Sequence, residues 1–265
     1  MRIVSPGHAA FASVMIALGV AGLVKGRFMP VWAPVPNDLP AREVLAFLCA
    51  LISLACGLGL LWQRAAAVAA RVLLASFLLW IVVLRFGDIV RAPSTFGSWD
   101  GAAETAVMVA AAWVLYAWFA GDRDKKRLAF ASGAAGVRIA RALYGVAMIP
   151  FGLAHFLFIK QTAALVPGWL PAHVAWAYAT GSAFLIAGVA ILSHLLSSGP
   201  TVGKVARLAA ALSTLQIGLF TLLVWVPMVV AGSKDAFVWS EFVLSTALTT
   251  AAWVVADSYR VKMVR

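Results

Sequence analysis

The sequence predicts an all-α integral membrane protein with eight transmembrane helices, built as two four-helix halves that lie parallel to each other. Three observations predict this fold: the composition, the placement of charge along the chain, and a loop pattern that occurs twice. Of the 265 residues, 63% are hydrophobic and 12% are charged. A soluble domain is usually about half apolar and about one quarter charged. We therefore expect the excess of apolar side chains to face a lipid bilayer.

Unbroken apolar runs divide the chain into eight segments, each near the roughly 20 residues that a helix needs to cross a bilayer. Their continuity favours helices over barrel strands, in which apolar and polar residues alternate. The first run has a counterpart deep inside the chain, so we expect it to be a span and not a cleaved signal peptide. The predicted spans cover residues 8–27, 43–62, 66–90, 102–120, 137–159, 173–195, 205–230 and 238–257. The predicted units are a first four-helix unit at 1–120, a linker at 121–135 and a second four-helix unit at 136–265.

Charged residues concentrate at the ends of the apolar runs and predict the orientation. With both termini and the GDRDKKR linker on one face, that face collects 14 basic and three acidic residues, while the other face is neutral. The positive-inside rule then predicts cytoplasmic termini in a bacterial inner membrane. The same rule accounts for the net charge of +11, so no nucleic-acid partner is predicted. The basic residues of the cytoplasmic face are Arg2, Arg64, Arg71, Arg123, Lys125, Lys126, Arg127, Arg138, Arg141, Lys204, Arg207, Arg260, Lys262 and Arg265.

Tryptophans near the span ends, Trp32 among them, predict interfacial aromatic belts.

A loop pattern, V-P-x-x-L-P-A, occurs at residues 35–41 and again at 166–172. Gly57 and Gly188 follow the second proline of each copy at the same distance. Two pairs of tryptophans further on share one offset: Trp99 with Trp239, and Trp113 with Trp253. The matches predict an internal repeat. Because each half has an even number of spans, the halves are expected to be related by a pseudo-twofold axis along the membrane normal.

These features resemble the DoxX-like membrane proteins, a bacterial family of four-helix units. The resemblance rests on the G-L-x-[K/H] end of the first span, the V-P-x-x-L-P loop and a second span rich in small residues. The second half matches through residues 151–156, the loop at 166–171, the pair Thr180-Gly181, and Gly188. The chain is similar to two such units in tandem. The family's namesake looks like the membrane subunit of a thiosulfate:quinone oxidoreductase, so the resemblance implies a quinone as cofactor and soluble or membrane redox partners.

Ionisable side chains inside a membrane are costly, so each is a candidate for function. Lys25 and His155 occupy equivalent places at the outer ends of spans one and five. They predict a shared outer cavity that binds an anion or a quinone carbonyl; the alternative is that each bonds to the loop of its own half. Arg85 and Asp88 lie three residues apart near the outer end of span three. That spacing predicts an ion pair on one helix face, or an arginine held for an anionic ligand.

Three further residues are candidates for ligand contact, each with a structural alternative. Glu104 and Glu241 are predicted to begin spans four and eight, where the helix dipole favours acidic side chains. Gln216 lies inside span seven and is expected to hydrogen-bond to another helix, since lipid cannot satisfy its amide. Cys49 and Cys56 are predicted to be buried thiols that form no disulfide. The histidines lack the spacing of metal ligands, so no metal site is predicted.

Three functions remain open at this point. The resemblance favours a membrane component of a quinone-linked redox system, and the predicted two-fold repeat is also compatible with a carrier of a small or lipidic molecule. A structural or assembly protein is the third alternative. The sequence contains no P-loop, no G-x-S-x-G elbow and no dinucleotide-binding glycine motif after a strand, so whether the chain is an enzyme stays open.

The predicted orientation can be tested with reporter fusions. Alkaline phosphatase and green fluorescent protein fused after residues 124 and 260 should both report a cytoplasmic position. A fusion after residue 93 should report the outer side. Opposite positions for the first two fusions would contradict an even number of spans between them.

Overall fold

The computed structural model describes residues 3–197 and 199–260, and within these residues the chain forms helices and no strand. Eight helices are long and apolar enough to cross a membrane. The chain is therefore a multi-pass all-α membrane protein, as predicted. Arg2, Lys262 and Arg265, assigned above to the cytoplasmic face, lie outside the described residues. The spanning helices are α1 (Pro6–Lys25), α2 (Arg42–Leu61), α3 (Ala66–Arg91), α4 (Phe96–Phe119), α5 (Gly133–Leu157), α6 (His173–Leu196), α7 (Pro200–Val230) and α8 (Ala236–Asp257).

Three short helices lie in the connections. A 3₁₀ turn at Pro30–Trp32 follows α1, and a helix at Ile159–Ala164 follows α5. The GDRDKKR segment, predicted as a polar linker, forms the helix Asp122–Arg127. Both acidic residues, Asp122 and Asp124, stand in its first turn, and three of its four basic residues stand in its last turn, an order that the helix dipole favours.

Local sequence explains where several helices begin and end. The Ser5 hydroxyl accepts a hydrogen bond from the His8 amide and Pro6 is the first residue of α1, both common features of helix starts. Gly26 ends α1 in the left-handed conformation that glycine adopts without a steric penalty. Asp235 caps α8 by accepting a hydrogen bond from the Phe237 amide at 2.8 Å.

The two V-P-x-x-L-P-A loops end in the same unusual backbone conformation. Ala41 precedes α2 with φ of 53°, and Ala172 precedes α6 with φ of 56°. A non-glycine residue at positive φ is uncommon and costs about 1–2 kcal/mol. The shared loop sequence thus accompanies a shared and costly way of entering the next helix.

The packing partners of the helices repeat with a spacing of four helices. Within the first four, α1 packs on α2, α2 on α3, and α3 on α4; α5 to α8 repeat this series. Across the halves, α4 packs on α5, α8 packs on α1, and α4 and α8 contact each other. This pattern favours the predicted two-half arrangement, which stays a proposal, as do the unit boundaries.

Small residues let paired helices approach closely. A Cβ on Gly57 of α2 would lie 2.8 Å from the Ala12 carbonyl of α1, and a Cβ on Gly188 of α6 would lie 2.8 Å from the Gly145 carbonyl of α5. Both distances are shorter than van der Waals contact. Membrane helices commonly associate through such small residues, because lipid gives no hydrophobic force between them.

Contacts at one end of the bundle join elements that were predicted to share a face. The Asp257 carboxylate at the end of α8 accepts a hydrogen bond from the Gly7 amide of α1 at 3.0 Å. Arg71 of α3 donates to Asp124 of the linker helix at 2.5 Å. We call this end, where α1 starts and α8 ends, the terminal end, and the opposite one the distal end.

Enlarging either close-contact glycine should weaken the bundle. We expect Gly57→Leu and Gly188→Leu each to destabilise the protein by about 1–3 kcal/mol, because overpacking forces the paired helices apart. Thermal unfolding in detergent, followed by circular dichroism, measures the loss as a lower Tm. Gly168→Ala is the matched control, since a Cβ there meets no atom within 4 Å. An equal Tm for all four proteins would contradict the close packing.

Candidate functional site

Two spanning helices change their winding near the distal end. Residues Ile81–Arg85 of α3 and Thr221–Trp225 of α7 form five-residue π-helical segments. Such segments are rare and frequently lie at functional sites. In both places the neighbouring helix supplies a hydroxyl to the segment: Thr105 of α4 accepts from Arg85 at 3.0 Å, and Ser245 of α8 bonds to Thr221 at 2.6 Å.

Arg85, at the end of the first π segment, is a buried cation with only 2% of its side chain exposed. Its Nε donates to Thr105, one terminal nitrogen donates to the Pro34 carbonyl at 3.0 Å, and the other donates to the Ala33 carbonyl. The ion pair with Asp88 predicted from the sequence is present but long, at 3.7 Å. The principal partners of Arg85 are therefore backbone carbonyls of the loop after α1. The spacing of Arg85 and Asp88 along the chain does not predict these partners.

A cavity of about 490 Å³ opens at the distal end beside Arg85. Its walls come from the loop at 34–37, the end of α3 and the start of α4. Asp88 and Arg91 also line it, and the Arg91 guanidinium donates to the Asp88 carboxylate at 2.7 Å. Asn37, Thr95 and Ser98 add uncharged polar groups. The volume suits a small molecule, and the mixture of cations with hydrogen-bonding groups suits a polar head group.

The prediction that Glu104 and Glu241 begin their helices is wrong. α4 begins at Phe96 and α8 at Ala236, so Glu104 lies in the third turn and Glu241 in the second. The dipole effect is confined to the first turn and therefore does not explain them. Instead, Glu104 is within electrostatic range of Asp100, Glu241 and Arg85, so two acidic groups and one basic group act on it. The structure thus gathers Arg85, Asp88, Glu104 and Glu241 in one region, where α3, α4 and α8 meet.

Lys25 and His155 are not part of this region. Lys25 is exposed in the last turn of α1, and His155 is half-buried near the end of α5. Neither residue lines the cavity beside Arg85. The alternative that each bonds to the loop of its own half is wrong for His155, whose Nδ1 bonds to the Phe151 carbonyl on its own helix at 2.7 Å.

His155 lies instead against the rings of α6 and α7. Its imidazole stacks on Phe220 with a centroid distance of 5.7 Å and contacts the Phe184 ring edge-on at 5.5 Å. A Cβ on Gly181 would lie 2.7 Å from the His155 Cβ, so glycine at this position makes room for the histidine. This contact gives a physical reason for the Thr180-Gly181 pair noted in the sequence.

Gln216 of α7 makes the helix–helix hydrogen bond that the sequence predicts, because its amide donates to the Thr180 carbonyl of α6 at 3.0 Å. Cys49 and Cys56 are buried free thiols, also as predicted. The assignment of Trp32 to an interfacial belt is wrong. Its ring is 1% exposed, stacks on Phe77 at 4.5 Å and donates to the Ser53 hydroxyl.

Comparisons with known proteins leave the family undecided. No family model, no curated protein and no solved structure matches this chain. Within residues 3–197 and 199–260, no group of three or more histidine, cysteine, aspartate or glutamate side chains has the geometry of a metal site. The region around Arg85 and the surroundings of His155 therefore have to be interpreted from their own chemistry.

Replacing Arg85 by lysine should test its role as a link between helices. Lysine retains the charge but cannot hold the Thr105 hydroxyl and two carbonyls at once, because it lacks the planar fork. We expect Arg85→Lys to cost about 1.5–3 kcal/mol, the value of one hydrogen bond to a charged group, measured by thermal unfolding. Arg91→Lys, at an exposed arginine three residues from Asp88, is the control and should leave the Tm nearly unchanged. Equal losses in both variants would count against the linking role.

Proposed function

We propose that this chain is a DoxX-like protein of a bacterial inner membrane and serves as the membrane component of a quinone-linked redox system. In this proposal a quinone head group binds in the distal cavity, and soluble or membrane partners supply the electrons. The observation that carries the proposal is the buried guanidinium of Arg85 at the wall of a cavity of about 490 Å³.

Arg85 lines the cavity and retains N–H groups without a protein partner. An arginine has five N–H groups. Within the described residues, three of the Arg85 groups donate to Thr105, Pro34 and Ala33, and Asp88 lies at a long 3.7 Å. The remaining donors suit the carbonyl oxygen of a quinone, which accepts hydrogen bonds. Because the partners of Arg85 come from α4 and the loop after α1, the donors are held in place before any ligand arrives.

The two-unit organisation of the proposal is supported by recurring features along the chain. The positive-φ alanines at 41 and 172 recur, as do the π segments and the order of helix contacts. A bond from the Trp99 indole to the Pro93 carbonyl recurs as a bond from Trp239 to Ser233. The cytoplasmic position of the termini is supported by the charge distribution, because the basic excess belongs to the terminal end of the bundle.

A carrier of a small or lipidic molecule is the second candidate. The observation that favours it is the pair of π segments, one in each half, which introduce a change of winding near the distal end of α3 and α7. Flux of a fluorescent lipid or a short-chain quinone across proteoliposomes tests this alternative directly. Flux that depends on the protein, with no bound quinone and no redox partner, would favour the carrier over the redox component.

The redox proposal is tested by quinone content and quinone affinity. Protein purified from bacterial membranes should carry quinone that mass spectrometry detects after solvent extraction. A short-chain quinone added to stripped protein in nanodiscs should quench tryptophan fluorescence. We expect Arg91→Ala to weaken this binding about tenfold, equivalent to about 1.4 kcal/mol, because it removes a cation from the cavity wall.

Lys234→Ala provides the matched control, because Lys234 is an exposed cation in a distal connection outside the cavity wall. It should bind the quinone as the unmodified protein does. A preparation with no extractable quinone and no saturable quenching would refute the proposal.

A further inference from the structure

We propose that His155 and its aromatic neighbours form a second ligand site, which accepts a hydrogen bond from the hydroxyl group of a lipid-soluble hydroquinone. The site is separate from the cavity beside Arg85, whose walls come from the first half of the chain. That the ligand is a hydroquinone rests on the proposed function; that it is a ring with a hydroxyl donor rests on the local geometry.

The first step concerns the proton of the imidazole. Its Nδ1 lies 2.7 Å from the Phe151 carbonyl, and a carbonyl oxygen can only accept a hydrogen bond. Nδ1 therefore carries the proton, and in the neutral ring Nε2 presents a lone pair. Within the described part of the chain, Nε2 has no hydrogen-bond partner. The aromatic rings around the imidazole supply no donor to Nε2, so a hydrogen bond to this nitrogen has to come from water or from a ligand.

The second step concerns the walls around the imidazole. Phe220 stacks on it and Phe184 meets it edge-on, while Phe151 and Phe184 contact each other with centroids 5.9 Å apart. Aromatic rings prefer such stacked and edge-on neighbours, so the walls suit another planar ring. Gln216 stands one helical turn before Phe220 and donates its amide to the Thr180 carbonyl. The amide oxygen of Gln216 is a second acceptor on this wall, which further favours a ligand that donates.

The third step is an internal comparison. Phe220 lies as far along the chain from Trp80 as Trp239 lies from Trp99, so the predicted repeat pairs Phe220 with Trp80. Trp80 is contacted edge-on by Trp32 at 5.3 Å, whereas Phe220 is stacked on His155, so the ring that packs against this position differs between the two halves. Trp32 is 1% exposed and its N–H is bonded to the Ser53 hydroxyl. His155 has a smaller ring, is only partly buried and leaves Nε2 without a partner in the described residues, whereas the Trp32 ring is fully buried and its N–H is bonded.

Binding measurements in nanodiscs test the proposal. The probes are a short-chain hydroquinone and its dimethyl ether, which has the same ring but no hydroxyl donor. We expect the hydroquinone to bind and the ether to bind at least tenfold more weakly, the value of a hydrogen bond of about 1.4 kcal/mol. His155→Phe keeps the stacked ring but removes the acceptor, and it should lose the preference for the hydroquinone. Trp32→Phe, which removes an N–H from a buried ring in the first half of the chain, is the control and should keep the preference.

A spectroscopic readout on His155 itself tests the proposal without depending on the folding of His155→Phe. In ¹⁵N-histidine-labelled protein, the Nε2 resonance of His155 should shift upfield when the hydroquinone is added and should not respond to the ether. The chain has four histidines, so His173→Gln and His194→Gln suffice to simplify the assignment. An unshifted Nε2 resonance, or an unchanged preference in His155→Phe, would overturn the second site while leaving quinone binding beside Arg85 intact. Failure of both quinone and hydroquinone to bind anywhere would refute the proposed function itself.

Discussion

The packing of α4 against α8 is the contact on which the rest of the structure depends. These two helices are the most deeply buried of the eight, and each also contacts a neighbour from the other half. Ala111 and Ala112 of α4 and Ala251 and Ala252 of α8 are fully buried. Small side chains allow the two backbones to approach, and in lipid this close contact replaces the hydrophobic force that holds soluble cores together. The remaining helices are arranged around this pair.

Both candidate sites follow from how the outer helices meet this central pair near the distal end. α3 and α7 widen into π segments there, and each is tied to α4 or α8 through a hydroxyl, Thr105 in one half and Ser245 in the other. In the first half an arginine occupies the segment and binds the loop after α1, and a cavity with charged side chains in its wall lies beside it. The second π segment ends in Trp225 where the first ends in Arg85, and the titratable group beside it is His155, contributed by α5. In the proposed two-half arrangement, similar frameworks would thus carry different chemistry.

The sequence predicted the site less completely than the fold, and the reason differs between residues. Gln216 was predicted correctly, because an amide inside a span has to find a partner on another helix. Glu104 and Glu241 were misplaced, because both helices begin before the apolar runs do: α4 begins at Phe96 and not at 102, and α8 begins at Ala236 and not at 238. Trp32 was assigned to an aromatic belt, because its position in the chain gives no indication that the loop folds back between helices. The partners of Arg85 were missed because every residue has a backbone carbonyl, so the sequence does not show which carbonyls accept a hydrogen bond from a side chain.

The sequence by itself determined that the chain spans a membrane and how many times. Both follow from the cost of placing charged and unpaired polar groups in hydrocarbon, a cost that acts on each segment separately. The tertiary structure alone decided which polar residues meet. Arg85, Asp88, Glu104 and Glu241 come together, while Lys25 and His155 stay outside the cavity that Arg85 and Asp88 line. Helix rotation, π segments and loop paths set these distances, and they depend on contacts between segments far apart in the chain.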